Sequence, residues 1–204
     1  MEYVFFIVIL IFSIVIHEVS HGAVANYLGD PTAKYAGRLT LNPLKHLDPF
    51  GSIFLPVLLL IISRGTFAVG YAKPVPINPY NFRDQKWGTL KVSIAGPGVN
   101  LFLALIFGLL LRVFLHFSVL SSFYPIFIYI VFMNLLLAVF NLLPVPPLDG
   151  SHILFTFLSD KWSEVKIFLQ RYGFFVLIFV IIFGWNWIFK IIEIIFRLIT
   201  GYAI

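Results

Sequence analysis

Cysteine is absent from this 204-residue sequence, and only 11% of its residues are charged. The absence of cysteine excludes disulfides and thiolate metal sites, which leaves histidine and carboxylate side chains as the strong metal ligands. The shortage of charge accompanies 60% hydrophobic residues and a mean hydropathy of +0.99. Soluble domains carry about 25% charged residues, so this composition indicates a membrane protein.

Linkers and charge blocks are also missing, so we expect one membrane-embedded domain over residues 1–204. The net charge of +5 would suggest nucleic-acid binding in a soluble protein. Here the basic residues cluster in a few loops between apolar stretches, which is the distribution that the positive-inside rule describes. We therefore expect the lipid bilayer, and no nucleic acid, as a partner.

Four apolar stretches reach the roughly 20 residues that a helix needs to cross a bilayer: Tyr3–Leu28, Thr89–Phe117, Phe123–Leu143 and Gly173–Ile199. The shorter stretch Phe50–Ile62 is interrupted by Pro56 and is predicted to enter the membrane and return. On either side of it, Ala36–Leu41 and Thr66–Val75 carry β-forming residues bounded by Gly and Pro, which predicts short strands. The predicted fold class is an all-α polytopic membrane protein with four full transmembrane helices, a re-entrant segment and small β elements near the cytoplasmic side.

The basic residues also predict the orientation. Most of them lie between the first and second spans, and Lys161, Lys166 and Arg171 lie between the third and fourth. By the positive-inside rule both connections face the cytoplasm. We therefore expect a multi-pass protein of the cell membrane whose N-terminus lies outside.

The first span contains His17-Glu18-Val19-Ser20-His21, which matches the pattern H-E-x-x-H. On a helix the two histidines lie one turn apart on one face, so both can bind a single ion, and Glu18 is placed to take a proton from a metal-bound water. The alternative, two ordinary helix histidines and a surface glutamate, does not explain why costly polar groups interrupt an apolar span. The motif lies about 14 Å before the cytoplasmic end of the helix, which predicts a site within the bilayer nearer the cytoplasmic face.

A third protein ligand would leave one tetrahedral position for water. The best candidate is Asp149, which follows the third span in the stretch Asn141–Gly150, where three prolines break the helix and Gly150 frees the backbone. Two alternatives stay open: Asp149 caps the segment that follows it, or His152 is the ligand. The predicted metal is one Zn²⁺ ion per chain, although such a site also accepts cobalt or manganese.

Together these motifs resemble the site-2 protease family of intramembrane zinc metalloproteases. The resemblance covers residues 13–155 and also includes the stretch Ala95–Asn100. It looks like the compact prokaryotic branch, without a PDZ or nucleotide-sensing domain. It implies that His17, His21 and Asp149 bind zinc and that Glu18 is the general base. It also implies that Asn100 and Asn141 hold the substrate chain or the oxyanion, with helix–helix hydrogen bonding as the alternative.

The resemblance further implies the activity, which is hydrolysis of peptide bonds within or near transmembrane segments of membrane-spanning protein substrates. It places a catalytic core at roughly residues 1–155 and a connector with the last span at roughly 156–204. Homo-oligomerisation is left open. Two other functions compete: a divalent-cation transporter, which has no need for Glu18 at its spacing, and an inactive membrane scaffold.

Overall fold

The computed structural model describes residues 2–62, 64–65, 70–114 and 123–202. In these residues the chain forms α-helices and no strand. The helices, in chain order, are α1 (Glu2–Tyr27), α2 (Thr32–Tyr35), α3 (Leu55–Ile62), α4 (Gln85–Phe114), α5 (Tyr124–Asn141), α6 (Asp149–Phe157) and α7 (Ser163–Thr200). Single 3₁₀ turns occur at Pro43–Lys45, Pro79–Asn81 and Asp160–Trp162, and a π-helical turn at Pro49–Phe54 leads into α3.

Four of these helices, α1, α4, α5 and α7, are long and apolar enough to cross a membrane, which confirms the predicted number of spans. The longest, α7, has 38 residues. At about 1.5 Å per residue it measures about 57 Å, well beyond the roughly 30 Å hydrocarbon core of a bilayer. Helix α7 is therefore longer than one crossing of the hydrocarbon requires.

Helix α4 is the centre of the bundle, because it packs against α1, α5, α6 and α7. Between α4, α5 and α7 lies the main apolar core, formed by Ala104, Val131, Leu135, Ile188, Ile192 and Phe196. Lipid is as apolar as these side chains, so close van der Waals packing rather than escape from water holds the helices together. Gly108 shows how close they approach, since a Cβ atom there would overlap the side chain of Ile199 on α7.

The strand predicted for Ala36–Leu41 is wrong. Gly37 has a left-handed φ of 65°, so the chain turns as it leaves α2. The buried Arg38 guanidinium then donates to the backbone carbonyl of Lys45, which folds the segment onto the following 3₁₀ turn. The local tertiary contacts override the β-propensity of these few residues.

The second predicted strand, Thr66–Val75, falls partly outside the described residues, which omit 66–69. Its remaining part belongs to no strand or helix, and we call residues 70–78 the extended segment because Pro74 and Pro76 favour extended backbone in the residues before them. The Tyr71 N–H donates to the Gly51 carbonyl, and the Lys73 N–H donates to the His46 carbonyl. Pro74 and Pro76 have no N–H, so this pairing cannot continue as a ladder toward Asn78.

A buried carboxylate fixes the far end of this extended segment. Asp30, just after α1, accepts hydrogen bonds from the Asn78 N–H and the Asn81 side-chain amide, both at 2.7 Å, and from Thr32. Burial alone would raise the pKa of Asp30, but these hydrogen bonds hold the pKa below its ordinary value. The segment 70–78 is thereby held beside the end of α1 that carries the H-E-x-x-H motif.

Candidate metal centre

Three predicted ligands come together, although they lie on two helices that are far apart in sequence. His17 and His21 are on α1, and Asp149 is the first residue of α6. The Asp149 Oδ2 atom lies 3.2 Å from the Nε2 atom of each histidine. The two Nε2 atoms are 3.1 Å apart. Both histidines are buried and Asp149 is partly buried, so the cluster faces a restricted space.

The hydrogen bonds behind the histidines show which atoms face that space. His21 Nδ1 lies 2.7 Å from the backbone carbonyl of Val92, which can only accept, so Nδ1 carries the proton. His17 Nδ1 lies 2.6 Å from Asn100 Oδ1, an acceptor as well. In the neutral rings both Nε2 atoms then present lone pairs to each other and to the Asp149 carboxylate. A metal cation between the three atoms, or a proton on one Nε2, relieves the repulsion between these lone pairs.

A zinc ion fits this donor set. Asp149 Oδ2 is buried and has no hydrogen-bond partner of its own. Ligands at about 2.0–2.1 Å around tetrahedral zinc are separated by about 3.3 Å, close to the separations seen here. Two imidazoles and one carboxylate are also a common donor set for zinc in hydrolytic sites. His17, His21 and Asp149 would hold the ion and leave a fourth position free.

Asp149 is directed at the histidines by the loop that precedes it. Helix α6 begins at Asp149, and no side-chain hydrogen bond caps the helix, so the capping alternative does not describe this carboxylate. Gly150 lets the chain turn closely, because a Cβ atom there would collide with the backbone of Leu142 and Leu143. From outside, Gly173 of α7 packs against Pro146 of the same loop.

Glu18 lines the same cavity but is not one of the three residues whose ligand atoms converge. Its Oε2 atom accepts a 2.9 Å hydrogen bond from the backbone N–H of Val75 in the extended segment. Val75 lies between Pro74 and Pro76, so its N–H is the one backbone donor that these three residues possess. The cavity has a volume of about 350 Å³, and Glu18, the three ligands and the extended segment all line it.

The other predicted site residues have different surroundings. Asn141 lines the cavity, with its amide donating to the Leu137 carbonyl one turn earlier in α5. Asn100 is fully buried behind His17, where it contacts α1 and α5, as the helix–helix alternative describes. His152 lines the cavity but is not part of the three-ligand group. Of these three, Asn141 and His152 line the cavity and Asn100 does not.

Gly96 is a residue of this site to which the sequence analysis assigned no role. It lies on α4 directly against the metal-facing edge of the histidines, and a Cβ atom there would overlap the His17 and His21 rings. The stretch Ala95–Asn100 contains the glycine, but nothing in its local pattern shows that α1 crosses at this point. The Val75 N–H and Asn134, which hydrogen-bonds to Asn100 and to Ser13, were missed for the same reason, since their partners are distant in sequence.

The helices and the histidine–carboxylate cluster are those of a polytopic membrane protein with a candidate metal-binding centre. The family model of peptidase family M50 matches residues 5–124 and 117–180. The chain therefore belongs to peptidase family M50, the site-2 proteases, and is a membrane-embedded zinc metalloprotease. This membership does not favour the transporter or the scaffold.

Individual relatives agree with the family. The chain is 41% identical over 189 residues to "Putative zinc metalloprotease YwhC" of Bacillus subtilis, which covers 88% of this chain and 80% of the relative. It is 30% identical over 174 residues to "Putative zinc metalloprotease Rip2" of Mycolicibacterium smegmatis, covering 83% and 63%. It is 31% identical over 122 residues to "Zinc metalloprotease MJ0392" of Methanocaldococcus jannaschii, covering 56% and 35%. No solved structure matches the chain.

Proposed function

We propose that this protein is an intramembrane endopeptidase of the H-E-x-x-H type. It would hydrolyse peptide bonds within or near the transmembrane segments of membrane proteins, with one zinc ion per chain bound by His17, His21 and Asp149. The observation that carries the proposal is the convergence of the ligand atoms of these three residues, with Glu18 lining the same cavity. Both histidines lie on α1, a helix apolar enough to cross a membrane. Two buried histidines in such a helix would otherwise be an unexplained cost.

Zinc, when bound, acidifies a water molecule and polarises the peptide carbonyl. Glu18 accepts the proton of the attacking water and returns it to the leaving amine. The Val75 N–H already occupies Oε2, so we assign the proton to Oε1. Asn141, on the wall of the same cavity, is our candidate for contacting the substrate chain. Asn100 supports His17 instead, because it is fully buried.

The depth and orientation of the site are part of this proposal. Helix α1 ends at Tyr27, so His21 lies roughly 9 Å of helix before that end. The connections that follow α1 and α5, together with the first ten residues of α4 and of α7, carry 11 of the 14 basic residues, which favours the cytoplasm for both connections. The N-terminus would then lie outside, and the site would lie in the cytoplasmic half of the membrane.

We also propose that the helical segment Pro49–Ile62 enters the membrane and returns to the same side. It is too short to cross, and the hydrogen bonds of Tyr71 and Lys73 bring the returning chain back to residues 46–51. An apolar cavity of about 370 Å³ lies between this segment and α1. Irregular backbone at such a depth is tolerated where it lines a cavity.

The unwound substrate would lie along the extended segment 70–78. Full strand addition, which uses donors and acceptors alternately, does not suit this segment, because Pro74 and Pro76 have no N–H and the Val75 N–H binds Glu18. The segment can offer carbonyl acceptors to a substrate chain. Disrupting it without any effect on cleavage would remove this part of the proposal.

The packing of α7 supports a proposal about the domain organisation. Helix α7 contacts α4 and α5 and supports the loop before Asp149. The family match continues to residue 180, well into α7. We therefore propose that α7 belongs to the same catalytic unit as the preceding helices rather than serving as a separate anchor.

The test is cleavage of single-span membrane substrates by the purified wild type and by Glu18→Gln, with zinc measured in both. We expect cleavage by the wild type alone and one zinc per chain in both proteins, since glutamine cannot accept the proton but leaves the ligands unchanged. Equal cleavage by both proteins would overturn the role of Glu18. Transport of zinc without cleavage of any substrate would favour the transporter.

A further inference from the structure

His17 and three polar side chains behind it form a hydrogen-bonded network in the otherwise apolar bundle. Besides His17 and Asn100, it contains Ser13 on α1 and Asn134 on α5. Asn100 and Asn134 are 0% and 1% exposed, so water cannot satisfy their amides. Buried amides of this kind are costly unless every hydrogen bond is made.

The Asn134 amide fixes the direction of the network. Its Nδ2 atom donates to the Ile130 carbonyl at 2.8 Å and to the Ser13 hydroxyl at 3.0 Å. The Ile130 carbonyl can only accept, so the nitrogen must be on that side, and Oδ1 of Asn134 therefore faces Asn100.

Asn100 must then turn its nitrogen toward Asn134. Its Nδ2 atom donates to Asn134 Oδ1 at 2.8 Å and lies 3.4 Å from the Ser13 carbonyl. The oxygen of Asn100 is left for His17, 2.6 Å from Nδ1. His17 Nδ1 must carry the proton, and Nε2 is left with the lone pair that faces His21 and Asp149.

We propose that Asn134, assisted by Ser13, is a positioning residue that sets the tautomer of His17 through Asn100. This rests on the proposed metal site, toward which the Nε2 lone pair is directed. The two histidines are oriented by different means, because His21 donates directly to the Val92 carbonyl, whereas His17 depends on a chain of side chains. His17 is therefore the ligand that a side-chain substitution outside the site can misorient.

The first test compares the wild type with Asn134→Leu, which keeps the approximate volume of the side chain but removes the 2.8 Å acceptor of the Asn100 amide and leaves it only the Ser13 carbonyl at 3.4 Å. Zinc affinity is measured by competition with a chelator. Losing an outer-shell partner typically weakens metal binding by about 10–100-fold, and we expect a loss of this size. Thr200→Val is the matched control, since it removes another buried hydrogen bond of the bundle, to Phe196 on α7, and should leave zinc affinity unchanged.

The second test asks whether Asn134 acts on His17 through Asn100 or only contributes to the stability of the fold. An aspartate at position 100 offers an acceptor to His17 whichever way it turns, so it no longer needs Asn134 to orient it. The double variant Asn100→Asp with Asn134→Leu should therefore recover most of the zinc affinity lost in Asn134→Leu. A double variant that binds zinc no better than Asn134→Leu would overturn the proposal that Asn134 orients His17 through Asn100.

The third measurement does not depend on metal or on activity. Nitrogen NMR of the histidine rings in metal-free protein reports which nitrogen is protonated, with His17→Ala used to assign the signal. We expect His17 to be protonated at Nδ1 in the wild type and to become a mixture of tautomers in Asn134→Leu. An unchanged Nδ1 tautomer in that variant would overturn the inference. A wild type with this tautomer but no zinc affinity would overturn the proposed function alone.

Discussion

The two halves of the site are held in different ways. The ligands His17 and His21 are fixed inside the helical bundle, by the hydrogen bonds that they donate to α4 and by the contact with Gly96. Glu18, one residue along the same helix, is instead held by the backbone of an irregular segment that Asp30 anchors. Metal binding and proton transfer therefore depend on separate parts of the fold, and substitutions should be able to separate them.

Gly96→Ala should have the largest effect, because it acts on the ligand half. The new methyl group would occupy the space of the His17 and His21 rings, which must then turn away from Asp149. We expect zinc affinity to fall by about 100-fold or more, together with cleavage. The measurements are zinc competition and substrate cleavage.

Gly98→Ala provides the control for that substitution. It adds the same methyl group two residues further along α4, where the nearest atom, of Ile94, is 4.0 Å from the new carbon. It should bind zinc as the wild type does. If Gly96→Ala also bound zinc normally, the ligand half would not be as tightly packed as the structure shows.

Val75→Pro should have the next largest effect, on the other half of the site. It removes the N–H that binds Glu18, and hydrogen bonds to charged groups contribute about 1.5–3 kcal/mol. We expect kcat to fall by about 10–100-fold while zinc affinity is unchanged. Val75→Ala, which keeps the N–H, is the variant for comparison. Equal kcat values for the two would mean that the hydrogen bond does not position Glu18 during catalysis.

Asp30→Asn should have a smaller effect on cleavage than Val75→Pro, because it acts at the far anchor of the segment. It removes the charge that accepts hydrogen bonds from Thr32, Asn78 and Asn81, so the melting temperature at pH 7 should fall. Zinc affinity should not change. A loss of zinc as large as that of Gly96→Ala would show that the two halves are not separate.

The same variant makes a prediction about pH. The pKa of Asp30 is lowered in the folded protein from 3.8, so its stabilisation is complete above about pH 4 and disappears as the pH falls through the folded-state pKa. The difference in melting temperature between wild type and Asp30→Asn should therefore be constant near neutral pH and shrink in acid. A difference that grew on acidification would contradict the lowered pKa.

The parts that could be predicted from the sequence depend on local geometry. The spacing of His17 and His21 places both rings on one face of any helix, and long apolar runs indicate spans wherever they occur. Asp149 was predicted because prolines and a glycine surround a lone carboxylate after a span. These inferences needed no knowledge of which helices touch.

The parts that were missed or wrong depend on contacts between distant residues. Gly96 and Asn134 acquire their roles only where α4 and α5 pack against α1. No local sequence pattern indicates where these helices come into contact. The strand at Ala36–Leu41 was predicted from propensity, whereas the turn at Gly37 and the buried Arg38 decide the structure. In both cases tertiary packing supplied information that the local sequence does not contain.

The most direct test of the ligand set compares the zinc content of Asp149→Ala and His152→Ala after purification under the same conditions. Asp149 Oδ2 lies within 3.2 Å of both histidine nitrogens, whereas His152 only lines the cavity. The account predicts that Asp149→Ala loses zinc and that His152→Ala retains one ion per chain. Zinc retained in Asp149→Ala and lost in His152→Ala would contradict it and make His152 the third ligand.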